Sequence, residues 1–356
     1  MSRDHHSKPY DEGTLLKLEL FENYCKSWLP VFIQLPNVVE INIADFFCGP
    51  GEDQNGIPGS PLRIINTINC FRDILRSKNK RICTLFSDIK DSKVNSLMRL
   101  IDGMHTECVD IKYECLDFKS CFSKYEPKFS AKHAANLLFI DPTGLIDEIM
   151  LKKVLSMPRT DFILFIPAEH MHRFKNTKEF KNKLPGIETI NTDSPKKFAG
   201  GFCKLIESSY TKDRDYYLAH FGIQKNSGST HSVVFGSGSP LGIEKFLIEC
   251  WKFDKDNGEA SFSLEGDLII DNRQFSLPGI VKGAKLRKFQ ESFRSAVLLN
   301  IIRNNKDAYL YAIKSACLPR HAKEVLAQLK KERKIVKVPA LSYKKIFHDK
   351  CIEDIS

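Results

Sequence analysis

Between residues 41 and 166, short apolar runs alternate with amphipathic helical stretches, and this alternation constrains the chain more than any other feature. Ile41–Phe47 is followed by helical spacing over Leu62–Leu75, Ile82–Phe86 by Val94–Ile101, and Val109–Tyr113 by a short helical stretch near Phe118. Asn136–Ile140 and Phe162–Ile166 are two further strands. Strands that alternate with helices at this spacing predict a parallel sheet with crossover helices, an α/β fold. Tyr216–Phe221 and Thr230–Phe235, joined by a Gly/Ser/Asn-bearing turn at Gln224–Ser229, predict a hairpin at one sheet edge, and Gly242–Trp251 a helix after it. Ahead of the first strand, Thr14–Phe32 has apolar residues at helical spacing and reads as a helix packed on the strands and helices C-terminal to it. The long section Pro167–Asp215 holds short helical pieces at Lys178–Leu184 and Pro195–Ser208; it is expected on the substrate side of the sheet or as a surface excursion.

Charge divides the chain. From Lys282 to Lys345 there are 17 Lys/Arg against 4 Asp/Glu, a net of +13, whereas all 356 residues together carry +10. A basic segment of this kind attracts polyanions, most often nucleic acid. It also has helical spacing at Leu286–Ile302, Ala308–Ser315 and Arg320–Lys331, with Pro319 suited to a first helical turn. Ile335–Val338 and Leu341–Ile346 read as a two-strand wing, so a winged helix-turn-helix is expected over 286–350. Arg320, Lys323, Lys330 and Arg333 lie along its recognition helix as phosphate or base contacts. Asp254–Phe275 reads as a linker or small β element, giving domains at 1–255 and 286–350 with a linker at 256–285.

The 11 cysteines are odd in number and form no Cys-x-x-Cys pair, as expected of reduced thiols in a cytoplasmic protein. Cys108, Cys115 and Cys121 lack zinc-finger spacing, and no metal site is expected. There is no apolar run long enough for a bilayer span and no signal-peptide pattern at the N-terminus.

Candidate chemistry gathers at strand ends. Asp45-Phe46-Phe47-Cys48-Gly49-Pro50-Gly51 runs from a strand into a loop whose glycines allow tight turning and close ligand approach. Gly59-Ser60-Pro61-Leu62 comes next, with Ser60 as a helix N-cap and Pro61 in the first turn; such a terminus favours an anionic group. Asp88 ends the second strand, where an acid can accept both hydroxyls of a ribose. Asp117 follows the third strand, placed for an adenine amino group, with Phe118 beside it to pack the ring. Asp141-Pro142-Thr143-Gly144 ends the fourth strand, and an acid there faces the cleft. The fifth ends in Ile166-Pro167-Ala168-Glu169-His170-Met171-His172-Arg173, where Glu169, His170 and Arg173 are candidates for base, proton relay or phosphate clamp. Gly-x-Gly-x-x-Gly and the Walker lysine are both missing, which argues against an NTPase.

Seven stretches in order resemble the three-Cys-motif partner (TcmP) family. They are Tyr24…Trp28-Leu29-Pro30, Asp45–Gly51, Gly59–Leu62, Phe139–Pro142, Phe165–Ala168, Tyr216–Ala219 and Gly242–Lys245 with Trp251–Asp254. The resemblance implies a Rossmann-like class I methyltransferase sheet with a terminal hairpin, and S-adenosylmethionine as cofactor. Phe47, Cys48, Gly49, Pro50 and Gly51 would then form the cofactor loop with Asp45, Ser60 the methionine end, Asp88 the ribose contact, and Asp117 and Phe118 the adenine site. Asp141 and Pro142 would orient the acceptor. The stretch at 141–144 is similar to the Asp/Asn-Pro-Pro-aromatic motif of amino-group methyltransferases, but Thr143 and Gly144 replace its last two residues and remove the stacking ring. Two functions stay open: a methyltransferase acting on nucleic acid, and an inactive nucleic-acid-binding scaffold. The family name also implies a radical-SAM-like three-Cys-motif protein as partner.

Overall fold

The computed structural model describes residues 9–142, 144–192, 194–211, 215–224, 230–255 and 283–355. In chain order the elements are α1 (Glu12–Gln34), β1 (Glu40–Asp45), α2 (Ser60–Asn69), α3 (Arg72–Ser77), β2 (Ile82–Ser87), α4 (Asp91–Asp102), β3 (Val109–Glu114), α5 (Phe118–Phe129), β4 (Ala134–Ile140), α6 (Glu148–Ser156) and β5 (Thr160–Ile166). After these come α7 (Ala168–Phe174), α8 (Lys178–Lys183), α9 (Pro195–Tyr210), β6 (Tyr217–Gln224), β7 (Thr230–Ser237), α10 (Pro240–Phe253), α11 (Ala284–Leu298), α12 (Asn305–Lys314) and α13 (Pro319–Lys331).

The strands form one seven-stranded sheet in the order β3-β2-β1-β4-β5-β7-β6. Strands β1 to β5 pair in parallel, while β7 pairs antiparallel with both β5 and β6. β4 is buried along its whole length, which is why its sequence, Ala-Ala-Asn-Leu-Leu-Phe-Ile, is apolar without alternation. Its one polar side chain, Asn136, has its amide satisfied by Phe129 O at 2.7 Å and Thr160 Oγ1 at 2.8 Å. The order reverses between β1 and β4, so the ends of these strands open a crevice where ligands of such sheets bind.

The two faces of the sheet bury separate apolar clusters. One gathers α1, α2 and α10 with Ile43, Phe139 and Phe235. The other gathers α5, α6, α7 and α9 with Phe46, Leu138 and Phe162. Half of the Pro167–Asp215 section is thus a core layer: Phe198, Phe202 and Ile206 of α9 are wholly buried. The helix expected over 62–75 is two helices. Phe71 N–H bonds back to Ile68 O at 2.9 Å, a three-residue step that closes α2, and Phe71 O then accepts from Leu75 at the start of α3.

Helix α1 lies along the first face. Phe21, Tyr24 and Trp28, at helical spacing, are buried against it. Tyr24 OH donates to Asp161 Oδ2 at 2.7 Å. Burial pushes the Asp161 carboxyl up to about 6, against the opposing hydrogen bonds of Ser237 and Tyr24.

The C-terminal helices continue the same core. Trp251 of α10 donates its indole N–H to Ala316 O at 3.1 Å, and Tyr309 of α12 donates to Glu244 Oε2 at 2.7 Å. α12, the turn and α13 form as expected, with Asn304 capping α12 through the Asp307 N–H at 2.9 Å. The wing does not form. Residues 332–343 are irregular and a π-helical turn spans Lys344–His348. The reason is that buried Asn305, not a facing strand, holds this segment: its amide donates to Ala340 O at 3.3 Å and Cys351 O at 2.9 Å, and its carbonyl accepts from Glu353 N–H at 3.0 Å. The expected linker, 256–285, lies almost wholly outside the described residues. Among the described residues no helix is long and apolar enough to cross a membrane.

Tyr24→Phe leaves the Asp161 carboxyl short of a donor, and we expect a loss of about 1–3 kcal/mol in denaturant unfolding. An unchanged midpoint would show that the bond contributes nothing.

Candidate functional site

The loop after β1 is tied at both ends by buried Asp45. Ser60 Oγ donates to its Oδ2 at 2.6 Å, and Phe47 N–H donates to its Oδ1 at 3.1 Å. One carboxylate therefore joins the end of β1 to the start of α2. Ser60 acts through this bond and not as N-cap: the cap is Gly59, and Ser60 is the first helical residue, followed by Pro61. Gly49 and Gly51 have φ of +63° and +101°, a region costly for residues with a Cβ. Gly51 is also pressed on α4, where an added Cβ would lie 2.9 Å from Leu97 and Leu100. The loop closes when Gly59 N–H donates to Gly51 O at 2.7 Å. Cys48 is buried, its N–H bonded to Ser87 O at 3.0 Å, and burial with the charges of Asp45 and Asp88 pushes its thiol far above the usual range. It is a packing residue. Pro50 is half-buried beside it.

Asp88 follows β2 and turns back to this loop. Its Oδ2 accepts from Gly49 N–H at 3.3 Å, its Oδ1 from Lys90 N–H at 2.9 Å, and Lys93 Nζ lies 4.0 Å away. Asp117 caps α5, accepting from Ser120 N–H at 3.1 Å and Ser120 Oγ at 2.6 Å; these bonds hold its carboxyl below the usual range. Next to it Phe118 packs 5.0 Å from Phe46 and 5.9 Å from Phe47, ring centre to ring centre. Phe47 and Phe118 are each half-buried, an apolar wall with one side open.

At the end of β4, Asp141 has a partner that sequence reasoning missed. Lys17 of α1 forms an ion pair with Asp141 Oδ2, and the ammonium sits 4.1 Å from the centre of the Phe165 ring. The Lys17 side chain is 9% exposed and that of Asp141 25%, so the lysine lies beneath the carboxylate. Its signal was a cation inside an apolar stripe: Lys17, Phe21, Tyr24 and Trp28 share one face of α1, and all four are buried. Pro142 is half-buried and Thr143 lies outside the described residues.

Glu169 and His170 are not gathered to Asp141. They open α7 and are exposed, with the His170 ring 4.6 Å from Phe174 and 5.8 Å from Phe180. His172 is on the same helix and bonds Thr192 O through Nε2 at 2.9 Å, so the two imidazoles do not converge. Among the described residues no cluster of three or more His, Cys, Asp or Glu side chains is placed to hold a metal.

On α13, Arg320, Lys323 and Lys330 are exposed, and exposed Arg333 comes just past the helix end with φ +57°. Two acids of this region turn toward α11: Arg294 pairs with Glu332, and Gln290 donates to Glu324 at 3.3 Å.

No protein-family model matches the chain, and no curated protein matches it. Solved structures that resemble it include M. jannaschii TYW2 in complex with AdoMet, at 9% identity over 64% of this chain and 76% of that one, TM-score 0.30. A SAM-dependent methyltransferase from Agrobacterium tumefaciens matches at 10% identity over 65% and 63%, TM-score 0.34. A human methyltransferase 10 domain containing protein matches at 8% identity over 62% and 83%, TM-score 0.29. The chain has a class I SAM-dependent methyltransferase-like fold, carried by its own strand order and reversed seventh strand.

Burial pushes the Asp45 carboxyl up to about 7; Ser60 and Phe47 hydrogen bonds oppose this, Asp141 adds to it, and Lys17 opposes it. The folded protein therefore keeps the Asp45 proton where the unfolded chain has released it. That contribution is full below about pH 4 and is lost as pH rises through about 7. We expect wild type to lose stability relative to Asp45→Asn across this window, measured as paired unfolding midpoints. A gap that stays constant with pH would contradict the assignment.

Proposed function

We propose that the protein is an S-adenosylmethionine-dependent methyltransferase acting on a nucleic acid. The observation that carries this reading is the Gly49 N–H bond to Asp88, which joins the glycine loop of the first strand end to the acid of the second. Both positive-φ glycines are shaped for close approach, and Asp88 presents its carboxylate beside them. The residues fit the group: Phe47 to Gly51 and the start of α2 would hold the methionine end, Asp88 the ribose, and Asp117 with Phe118 and Phe47 the adenine. When bound, the group supplies an electrophilic methyl. The chain's part is to place an acceptor in line with it and to exclude competing water. The cleft is also the region of likeness to the three-Cys-motif partner family, and a radical-SAM-like protein is proposed as partner on that likeness.

The basic face of α13 is the proposed nucleic-acid contact, read from the exposure of Arg320, Lys323, Lys330 and Arg333 and the engagement of Glu324 and Glu332 by α11. A second reading, an inactive scaffold docked through the same face, is favoured by one observation: Lys17 already occupies one oxygen of Asp141.

Calorimetric titration with S-adenosylmethionine and S-adenosylhomocysteine separates the two. The enzyme reading expects micromolar binding, weakened about tenfold or more in Asp88→Ala. No binding of either molecule would favour the scaffold. Nucleic-acid binding should weaken steeply with salt, and the log–log slope should flatten by about one for each of Lys323 and Lys330 replaced by Ala. A salt-independent curve would remove the nucleic-acid contact.

A further inference from the structure

We propose that the methyl acceptor is a hydroxyl, that of an RNA ribose, and that Lys17 and Asp141 hold it; this rests on the nucleic-acid methyltransferase reading above. An ammonium only donates hydrogen bonds and a carboxylate only accepts them. Lys17 and Asp141 together therefore offer one donor and one acceptor at a single point of the cleft edge, where Asp141 is a quarter exposed. A hydroxyl complements such a pair, because its oxygen accepts from Lys17 while its O–H donates to the other Asp141 oxygen. The exocyclic amine of a base does not, since its lone pair is drawn into the ring and it presents donors alone. It would also need a flat apolar partner, and Gly144, in the place of that aromatic, has nothing within 4 Å of an added Cβ.

Burial argues that the lysine is there for chemistry. Lys17 sits on the core-facing stripe of α1 with Phe21, Tyr24 and Trp28, where an apolar residue would avoid the desolvation of a cation. The Phe165 ring beneath it and the Asp141 carboxylate hold the ammonium in place. Within a nucleic-acid chain the interior hydroxyl is the ribose 2′-OH, which DNA lacks. In the transfer, a lone pair of that oxygen forms the new C–O bond to the methyl carbon. The S–C bond of the sulfonium breaks and its electron pair stays on sulfur. The hydroxyl proton passes to Asp141 and on to water, while Lys17 stabilises the charge on the oxygen.

The test incubates the full-length protein with methyl-labelled S-adenosylmethionine and total RNA or total DNA from cells lacking it, with digestion to nucleosides afterwards. Label in RNA, recovered as 2′-O-methylnucleosides, is the expected result. Label on a base, or in DNA, would overturn the hydroxyl assignment and leave the methyltransferase reading standing. No label in either pool from protein that binds S-adenosylhomocysteine would remove the nucleic-acid reading and this inference with it. Lys17→Met should lower transfer by about a hundredfold or more, as loss of a donor to a developing oxyanion does. Its S-adenosylhomocysteine affinity should stay within about threefold, since the contact is made to the acceptor alone. Transfer unchanged or faster in Lys17→Met would make the lysine a brace or a plug and overturn its role. If Lys17→Met does not bind S-adenosylhomocysteine, Asp141→Asn carries the test: the same loss is expected, and unchanged transfer overturns the pair.

Discussion

Asp45 ends β1 with a carboxylate out of reach of water, accepting from the Ser60 hydroxyl and the Phe47 amide. An acid buried in this way is unfavourable as an anion unless hydrogen bonds surround it. Here the same bonds that satisfy it also pin the first strand to the second helix. The chain between them has to leave the strand, turn through two positive-φ glycines, and return within reach of Ser60. Without the Asp45 tie the loop would have no fixed register against Asp88, and the two strand ends would not present one surface.

Helix α1 adds a second constraint from outside the alternating β–α pattern. At one place Tyr24 reaches the base of β5 through Asp161; at the other Lys17 reaches the end of β4 through Asp141. The helix is thereby anchored by polar contacts at two depths of an otherwise apolar face. The physical consequence is that a cation is delivered to the cleft by a rigid element and not by a loop, which is how a site is held to fixed geometry.

The strands were legible because burial on both faces leaves long apolar runs, as in Ala134–Ile140. The antiparallel hairpin was legible because two β-rich runs flank a turn-forming stretch. Asp45, Gly49, Gly51, Asp88 and Asp117 were legible as a set because each comes at or just after a strand end. Three features were not. A lysine on a helix reads as solvated surface, and only the third dimension shows Lys17 facing Asp141. Residues 335–346 have the composition of two strands, yet a single buried asparagine, Asn305, takes up the polar groups that a ladder would need. Glu169 and His170 are chemically apt at a strand end, but α7 starts there and turns His170 toward Phe174 and Phe180.

The central claim is that the ends of β1, β2 and β3 form one nucleoside-binding surface. Amide hydrogen exchange of the protein with and without S-adenosylhomocysteine tests it most directly. The account predicts slowed exchange confined to the loop over 47–60, the segment after Asp88 and the start of α5 at Phe118. Protection elsewhere, with these three segments unchanged, would contradict it.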